Sequence, residues 1–231
     1  MYGHRDVAEA RRDVEFAEKV LALEPRHRIL DLCCGNGRHL AALGEKGYRR
    51  LAGVDLSRAL LKLAREAVAP SGGPAGVLQA DMRHLPFQDC FDAVLNLFTS
   101  FGYFEKDGEN RLVLESMRDA LQPGGRFLLD YLNPEQVTRN LQPRTERTTA
   151  GRRVIETRSL DLERHRVNKH IAIHTPAGVK HYEESVRLYS REEMLERFAA
   201  SGLEVTATYG DFDARPLDPD APRMIFAGRR V

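Results

Sequence analysis

The sequence has no apolar run near the ~20 residues that a membrane-spanning helix needs, so no bilayer-crossing segment is expected. It has almost no charge excess: 35 Lys and Arg stand against 34 Asp and Glu, a formal net charge of +1. That balance excludes the broad basic footprint of a nucleic-acid or anionic-membrane binder. It has only three cysteines, Cys33, Cys34 and Cys90, two of them adjacent. They make no disulfide framework and read as reduced thiols, so a cytoplasmic protein is expected. Neighbouring side chains at a strand end point to opposite faces, which makes Cys33 and Cys34 a poor chelate. The eight histidines form no HExxH and no His-x-His pair, and no metal site is expected. The first residues, Met1-Tyr2-Gly3-His4-Arg5-Asp6, lead into a charged amphipathic segment, not a signal peptide. Internal repeats and low-complexity tracts are absent as well.

What is present suits a folded domain. A chain of 231 residues with 42% hydrophobic residues can bury a sizeable core, as one domain with a decoration or as two small ones. Its organising stretch is Arg28 to Leu40. Ile29, Leu30 and Leu32 form a short apolar run, the pattern of a strand buried on both faces. Gly35 and Gly37 break it, and Leu40, Ala41 and Leu43 restart at helical spacing. Strand, glycine turn and helix in that order let backbone approach a ligand closely, and the helix start offers unpaired N–H groups.

The remaining pattern alternates. Residues 5–23 carry Val7, Ala10, Val14, Ala17, Val20 and Leu21 on one helical face, ended by Pro25. This helix is expected on the sheet edge, or as a lid closed by Tyr2. A second strand, Leu51 to Asp55, ends in an acid about 20 residues beyond the glycine turn, where nucleoside-binding α/β domains hold ribose hydroxyls. Ser57 caps the next helix, whose apolar face is Leu60, Leu61, Leu63, Ala64 and Ala67. A loop at 70–74 follows. Further strands are expected at Val77–Asp81, Phe91–Phe98 and Arg126–Tyr131, with a helix over 108–121 stopped by Pro123-Gly124-Gly125. Such alternation predicts a doubly wound, mainly parallel α/β sheet with ligands at the carboxyl ends of its strands.

After Asn133-Pro134 the helical periodicity fades. Val154–Thr157, Val167–Ile173 and Glu184–Tyr189 read as strands, with a turn at Gly178. The expectation is an antiparallel β insert after the fifth strand, laid over the sheet edge. Ser190-Arg191-Glu192-Glu193 is a capping box opening a helix that ends at Gly202. Two last strands, 203–209 and 223–229, complete the chain. The expected division is an amino-terminal helix (1–25), a core (26–135 and 190–231) and an insert (136–189) capping the acceptor side.

At these residues a family resemblance emerges. Ile29-Leu30-Asp31-Leu32-Cys33-Cys34-Gly35-Asn36-Gly37 resembles motif I of the class I S-adenosylmethionine-dependent methyltransferases, and Gly53-Val54-Asp55-Leu56-Ser57 resembles motif II. Gln79 to Phe87 is similar to motif III. Phe91-Asp92-Ala93-Val94 and Leu121 to Phe127 resemble the later motifs. The match runs in strict order over about residues 26–133 and is most like the small-molecule N- and O-methyltransferases, the aminosugar and glycine N-methyltransferase types included. It implies a Rossmann-like methyltransferase fold and S-adenosyl-L-methionine as cofactor. It further implies that Cys33, Gly35, Asn36 and Gly37 pass the methionyl part and that Asp31 faces its ammonium. Asp55 would accept from both ribose hydroxyls and Leu56 would pack on adenine. Asp81 would take the adenine amino group, the Met82 N–H a ring nitrogen, and Asn96 and Leu97 would border the methionyl end.

Methyl transfer from a sulfonium needs alignment above all, and an amine acceptor needs little base catalysis. No catalytic residue is therefore marked. Tyr103, Tyr131, His174 and His181 are the candidates for bounding the acceptor pocket. The insert is locally arginine-rich, which suits a small, acidic acceptor or simply a solvated strand face. Two other readings stay open at this point. A Rossmann-type NAD(P)-dependent oxidoreductase would use Asp55, but Leu40 stands where its third glycine belongs. An RNA or protein methyltransferase would keep the cofactor, although the fourth strand ends in Asn96-Leu97-Phe98-Thr99 and lacks the Asn-Pro-Pro-Tyr type of signature. A monomer or homodimer is expected. Replacing Asp55 by alanine should abolish binding of S-adenosylhomocysteine, measured by calorimetry, while the circular dichroism of the fold is kept; retained affinity would contradict the ribose assignment.

Overall fold

The computed structural model describes residues 7–69, 75–149 and 151–231. The loop expected at 70–74 and the closure by Tyr2 lie outside the described residues. In chain order the elements are α1 (Val7–Leu21), β1 (Arg28–Leu32), α2 (Arg38–Glu45), β2 (Arg50–Asp55), α3 (Arg58–Val68), β3 (Ala75–Gln79), β4 (Phe91–Asn96), α4 (Asp107–Ala120) and β5 (Leu121–Leu132). Then come α5 (Pro134–Asn140), β6 (Arg144–Thr149), β7 (Arg152–Asp161), β8 (Arg166–Thr175), β9 (Gly178–Arg187), α6 (Arg191–Ala200), β10 (Leu203–Tyr209) and β11 (Arg223–Arg230).

The central sheet runs in the order β10-β11-β5-β4-β1-β2-β3. Strands β1 to β5 pair in parallel, and β11 enters antiparallel between β5 and β10. Strand β1 sits between β2 and β4, and an apolar cluster covers each of its faces. Leu30 and Leu32 go into one apolar cluster with Met117 and Phe127, while Ile29 goes into the other with Leu40 and Leu43. Helices α1, α2 and α3 cover one face, α4 and α6 the other. On the second face Phe127 stacks on Phe198 at 5.0 Å.

Several local expectations shift. Helix α1 packs on the sheet face, not its edge: Ala10, Val14, Phe16 and Ala17 are buried beside Leu128, Ile225 and Ala227. Its last carbonyls, on Leu21 and Ala22, are capped by the Arg126 guanidinium. Helix α3 buries Leu61, Ala64 and Val68 and leaves Leu63 exposed. Strand β3 stops at Gln79, two residues short of Asp81, and β4 stops at Asn96 because Phe98 turns to a φ of 68°. Helix α4 ends at Ala120; Pro123-Gly124-Gly125 lies in the register shift between Phe91↔Leu121 and Ala93↔Arg126.

The insert is a four-stranded antiparallel sheet, β6-β7-β8-β9. The sequence reading missed β6, whose Arg-Thr-Glu-Arg-Thr-Thr has no apolar alternation, and α5, opened by the Asn133 cap and Pro134. The β8–β9 hairpin turns over Pro176-Ala177, with Thr175 paired to Gly178. The insert meets the core at the loop beyond the carboxyl end of β4, whereas the sheet edges are β3 and β10. The Arg187 N–H donates to Gly102 O at 2.8 Å, and Arg166, 7% exposed, donates to the carbonyls of Gly102, Tyr103 and Phe104. The Tyr131 hydroxyl donates to Arg187 O and accepts from Tyr189 N–H. Tyr189 itself is buried, with the Arg187 and Arg197 guanidiniums 5.1 and 4.3 Å from its ring centre.

Gly37, with φ 78°, is where helix α2 passes α3: a Cβ there would stand 2.8 Å from Ala64 Cα. Gly37→Ala must both force a left-handed alanine and push α3 away, so a loss of at least ~2 kcal/mol is expected in urea unfolding. An unchanged midpoint would mean that α3 gives way freely.

Candidate active site

Strand β1 delivers Asp31 to the middle of the sheet rim. The carboxylate is 1% exposed, lies between Gly53 of β2 and Leu95 of β4, and its Oδ2 has no hydrogen-bond partner. Burial pushes its pKa up to about 6, against the pull of the His39 and Arg38 charges. One strand over, Asn96 is fully buried; its Nδ2 donates to Leu32 O at 3.1 Å and its Oδ1 is also without a partner. Two orphaned buried acceptors at neighbouring strand ends call for a donor from a ligand, and a cationic one suits a carboxylate best.

The chain then reverses direction. Cys33 and Gly35 both have positive φ, 63° and 55°. A Cβ added at Gly35 would meet nothing within 4 Å, so the loop faces open space there. Asp55, at the end of β2, holds this loop: its Oδ2 accepts from Gly35 N–H at 2.9 Å and its Oδ1 from Ser57 N–H at 2.8 Å. A carboxylate has about four acceptor sites, so each oxygen keeps one lone pair for a ligand hydroxyl. Beside it the Leu56 side chain is 67% exposed, an apolar surface ready for a flat ring.

Cys33 reports the shape of the cleft. Its thiol is pushed well up, first by burial and then by the charges of Asp55, Asp31 and Asp81, while a hydrogen bond with Ser100 opposes the rise. The charges of all three carboxylates are thus felt at this one thiol. Met82 is there too, its sulfur 3.4 Å from the Cys33 sulfur. Cys34 turns the other way into the cluster under α1 and α2. Among the described residues no group of His, Cys, Asp and Glu could hold a metal ion.

Other expected residues fare differently. Asp81 is occupied by Arg83, whose side-chain and backbone bonds hold its pKa below the usual carboxylate range. An adenine amino group would have to share or displace that guanidinium, which also reaches Glu109 and lies over the Phe104 ring. The Leu97 side chain is buried in the core, leaving only its backbone for a ligand. Asn36 is half-buried in the turn. Tyr103, 40% exposed, feels the charges of Glu184 and Arg223 and the Cys33 thiol, and its backbone carbonyl accepts from Arg166 of the insert. Burial above all keeps its phenol protonated.

Three catalytic candidates are corrected. Tyr131 is fully buried and pins the return of the insert to the core, so its hydroxyl is not free for chemistry. His174 and His181 sit on the face of the insert opposite Lys169 and Glu184, by the pairing of Ala172 with His181 and of Lys169 with Glu184. His181 stacks instead on His170, ring centres 5.1 Å apart. Ser100 and Arg83, which do reach the cleft, carried no signal in the sequence because serine and arginine are common in loops.

A family described as a methyltransferase domain matches residues 29–125. The chain is 29% identical over 218 residues to the dTDP-3-amino-3,6-dideoxy-alpha-D-glucopyranose N,N-dimethyltransferase of Streptomyces fradiae, covering 89% of this chain and 83% of that protein. It is 30% identical over 203 residues to the dTDP-3-amino-3,4,6-trideoxy-alpha-D-glucopyranose N,N-dimethyltransferase of Streptomyces venezuelae, covering 84% and 82%. The chain belongs to the class I S-adenosylmethionine-dependent methyltransferases. Among solved structures, CalS10 from Micromonospora echinaspora, a SAM-bound amino pentose methyltransferase of calicheamicin biosynthesis, superposes with a TM-score of 0.71 at 25% identity, covering 99% of this chain and 93% of that one. S-adenosylmethionine is thus the cofactor of this methyltransferase, and the oxidoreductase reading falls. No described helix is long and apolar enough to cross a membrane.

The pKa of Asp31 sets a pH dependence. In the free protein its proton stays on up to about pH 6, above the ~3.9 of an unfolded chain. The folded state therefore binds more protons between these values, and raising the pH across them lowers the stability of the ligand-free methyltransferase. A cationic ammonium favours the ionised carboxylate. S-adenosylhomocysteine affinity should rise ~tenfold per pH unit below about 6 and level off above it. Calorimetry between about pH 5 and 8 reads this, and Asp31→Asn should weaken binding and flatten the profile.

Proposed function

We propose that this methyltransferase carries the methyl group of S-adenosylmethionine to the amine nitrogen of a small metabolite, an amino sugar joined to an anionic group. The observation that carries this reading is the near full-length likeness to two enzymes named for N,N-dimethylation of dTDP-linked amino sugars, which extends through the insert as well as the core. The cleft supports it chemically. Tyr103 keeps its proton and Tyr131 is engaged, so neither offers the base that a hydroxyl acceptor would need.

The bound cofactor supplies an electrophilic methyl group on a sulfonium. The chain's own residues bind and orient. Asp31 Oδ2 and Asn96 Oδ1 receive the ammonium of the methionyl end, directly or through water. The free lone pairs of Asp55 take the two ribose hydroxyls, and Leu56 covers the adenine. The Met82 N–H and a shared Asp81 complete the adenine contacts. The insert caps the acceptor side. Tyr103 and Glu184 form the wall where the amine enters as its neutral free base. Most arginines of the insert are already paired, Arg147 and Arg158 with the buried Glu156 and Arg153 with Glu146. The anionic part of the acceptor is assigned to the face where cations outnumber their partners: Arg147, Arg158 and Lys169 stand against only Glu156 and Glu184.

Incubation with isotopically labelled S-adenosylmethionine and a panel of amino-sugar nucleotides, free amino sugars, hydroxy acids and peptides tests the reading. Label in the amino-sugar nucleotides is expected. Label in peptides or hydroxy acids alone would replace it.

A further inference from the structure

The loop that follows β4 is held in a conformation its residues would not choose. Phe98 and Thr99, consecutive and neither of them glycine, have φ values of 68° and 50°. For a β-branched threonine this left-handed backbone is a real outlier. Such strain persists only where neighbouring groups over-determine it, and here one residue of β5 does most of the holding. Asp130 is 2% exposed. Its Oδ2 accepts from the Phe98 N–H at 2.8 Å and its backbone carbonyl from the Thr99 N–H at 3.1 Å. Its Oδ1 accepts from Arg223 Nε at 2.6 Å, and the same guanidinium donates from Nη2 to Thr99 Oγ1 at 2.5 Å. A carboxylate from β5 and an arginine from β11 thus grip two successive residues of the turn.

That turn borders the cofactor cleft on both sides. Just before it, Asn96 presents its orphaned Oδ1 and Leu97 is locked in the core. Just after it, the Ser100 hydroxyl donates to Leu97 O at 3.0 Å, which folds the chain back on itself. Without the left-handed pair the chain would leave β4 in extended form, and Ser100 could not fold back on Leu97 O. We propose that Asp130, with Arg223, is a positioning residue: it holds Phe98 and Thr99 left-handed and so sets Asn96, Leu97 and Ser100 against the methionyl end of the cofactor. Neither residue touches the cofactor in this assignment. Their effect passes through the backbone of the turn.

A glycine rescue separates this role from ordinary structural support. Glycine adopts a positive φ without strain, so it should lessen the need for the clamp at Thr99 and at no position of ordinary conformation. The variants are Asp130→Asn, Thr99→Gly and the two combined. The probe is S-adenosylhomocysteine, measured by calorimetry beside the thermal midpoint and the amide exchange at Phe98 and Thr99. Asp130→Asn is expected to weaken binding about tenfold and to speed exchange at Phe98. Adding Thr99→Gly should restore affinity to within about threefold of the unmodified chain. Thr99→Gly alone should bind within about twofold.

The proposal is overturned if Asp130→Asn binds as the unmodified chain does, or if Thr99→Gly gives no rescue in that background. Should Asp130→Asn fail to fold, Arg223→Met carries the same test, since it removes the donor to Thr99 and the partner of Asp130 Oδ1. It should weaken binding and be rescued by Thr99→Gly, and failure of either outcome again overturns the clamp. The readout needs no acceptor, so it stands apart from the amino-sugar reading.

Discussion

A carboxylate buried without a partner dominates the energetics of this molecule. Ionised Asp31, out of water and with Oδ2 unbonded, would cost several kcal/mol. The fold softens that cost by keeping the proton to about pH 6 and by setting the charges of Arg38 and His39 nearby. It does not remove it, because no side chain is brought close enough to bond Oδ2. The place for a positive donor is left to a ligand, and the S-adenosylmethionine of this family brings an ammonium. Affinity for the cofactor and instability of the empty site are in this way one interaction seen from two sides.

Around that carboxylate the rest of the rim is made from backbone held in unusual shapes. Cys33, Gly35 and Gly37 turn left-handed after β1, and Phe98 and Thr99 do so after β4. Each turn is secured by a carboxylate from a neighbouring strand, Asp55 for the first and Asp130 for the second. The insert is then fastened to the loop just beyond the second turn, through Arg166 and the backbone of Arg187. Buried Tyr131 and Tyr189 carry that fastening into the core. The glycine loop, the turn after β4 and the insert are thus each tied down by hydrogen bonds from a neighbouring element.

Much of the core was legible in the sequence for a physical reason. A strand covered on both faces must be apolar throughout, so Ile29-Leu30 and Ala93-Val94-Leu95 stand out, and glycine stands out wherever backbone must come close or turn left-handed. The strand-end acids Asp31 and Asp55 follow from the same pattern, since polar groups there must serve a ligand or a cap. The insert was less legible. Strand β6 is polar on both faces, and α5 rests on a Pro-initiated turn without an apolar stripe. Tyr131 looked available because it ends a strand; only the return of β9 shows its hydroxyl to be spent.

Sequence alone determined the order of elements in the core, its parallel strands and the two acids that frame the glycine loop, because burial periodicity and turn chemistry are local properties written in neighbouring residues. Tertiary structure alone decided which polar groups remain unpaired, where the insert is fastened to the core, and that Asp130 holds a turn about 30 positions earlier in the chain. Those depend on what distant strands bring alongside, and hydrogen bonds between side chains far apart in sequence leave no spacing to read.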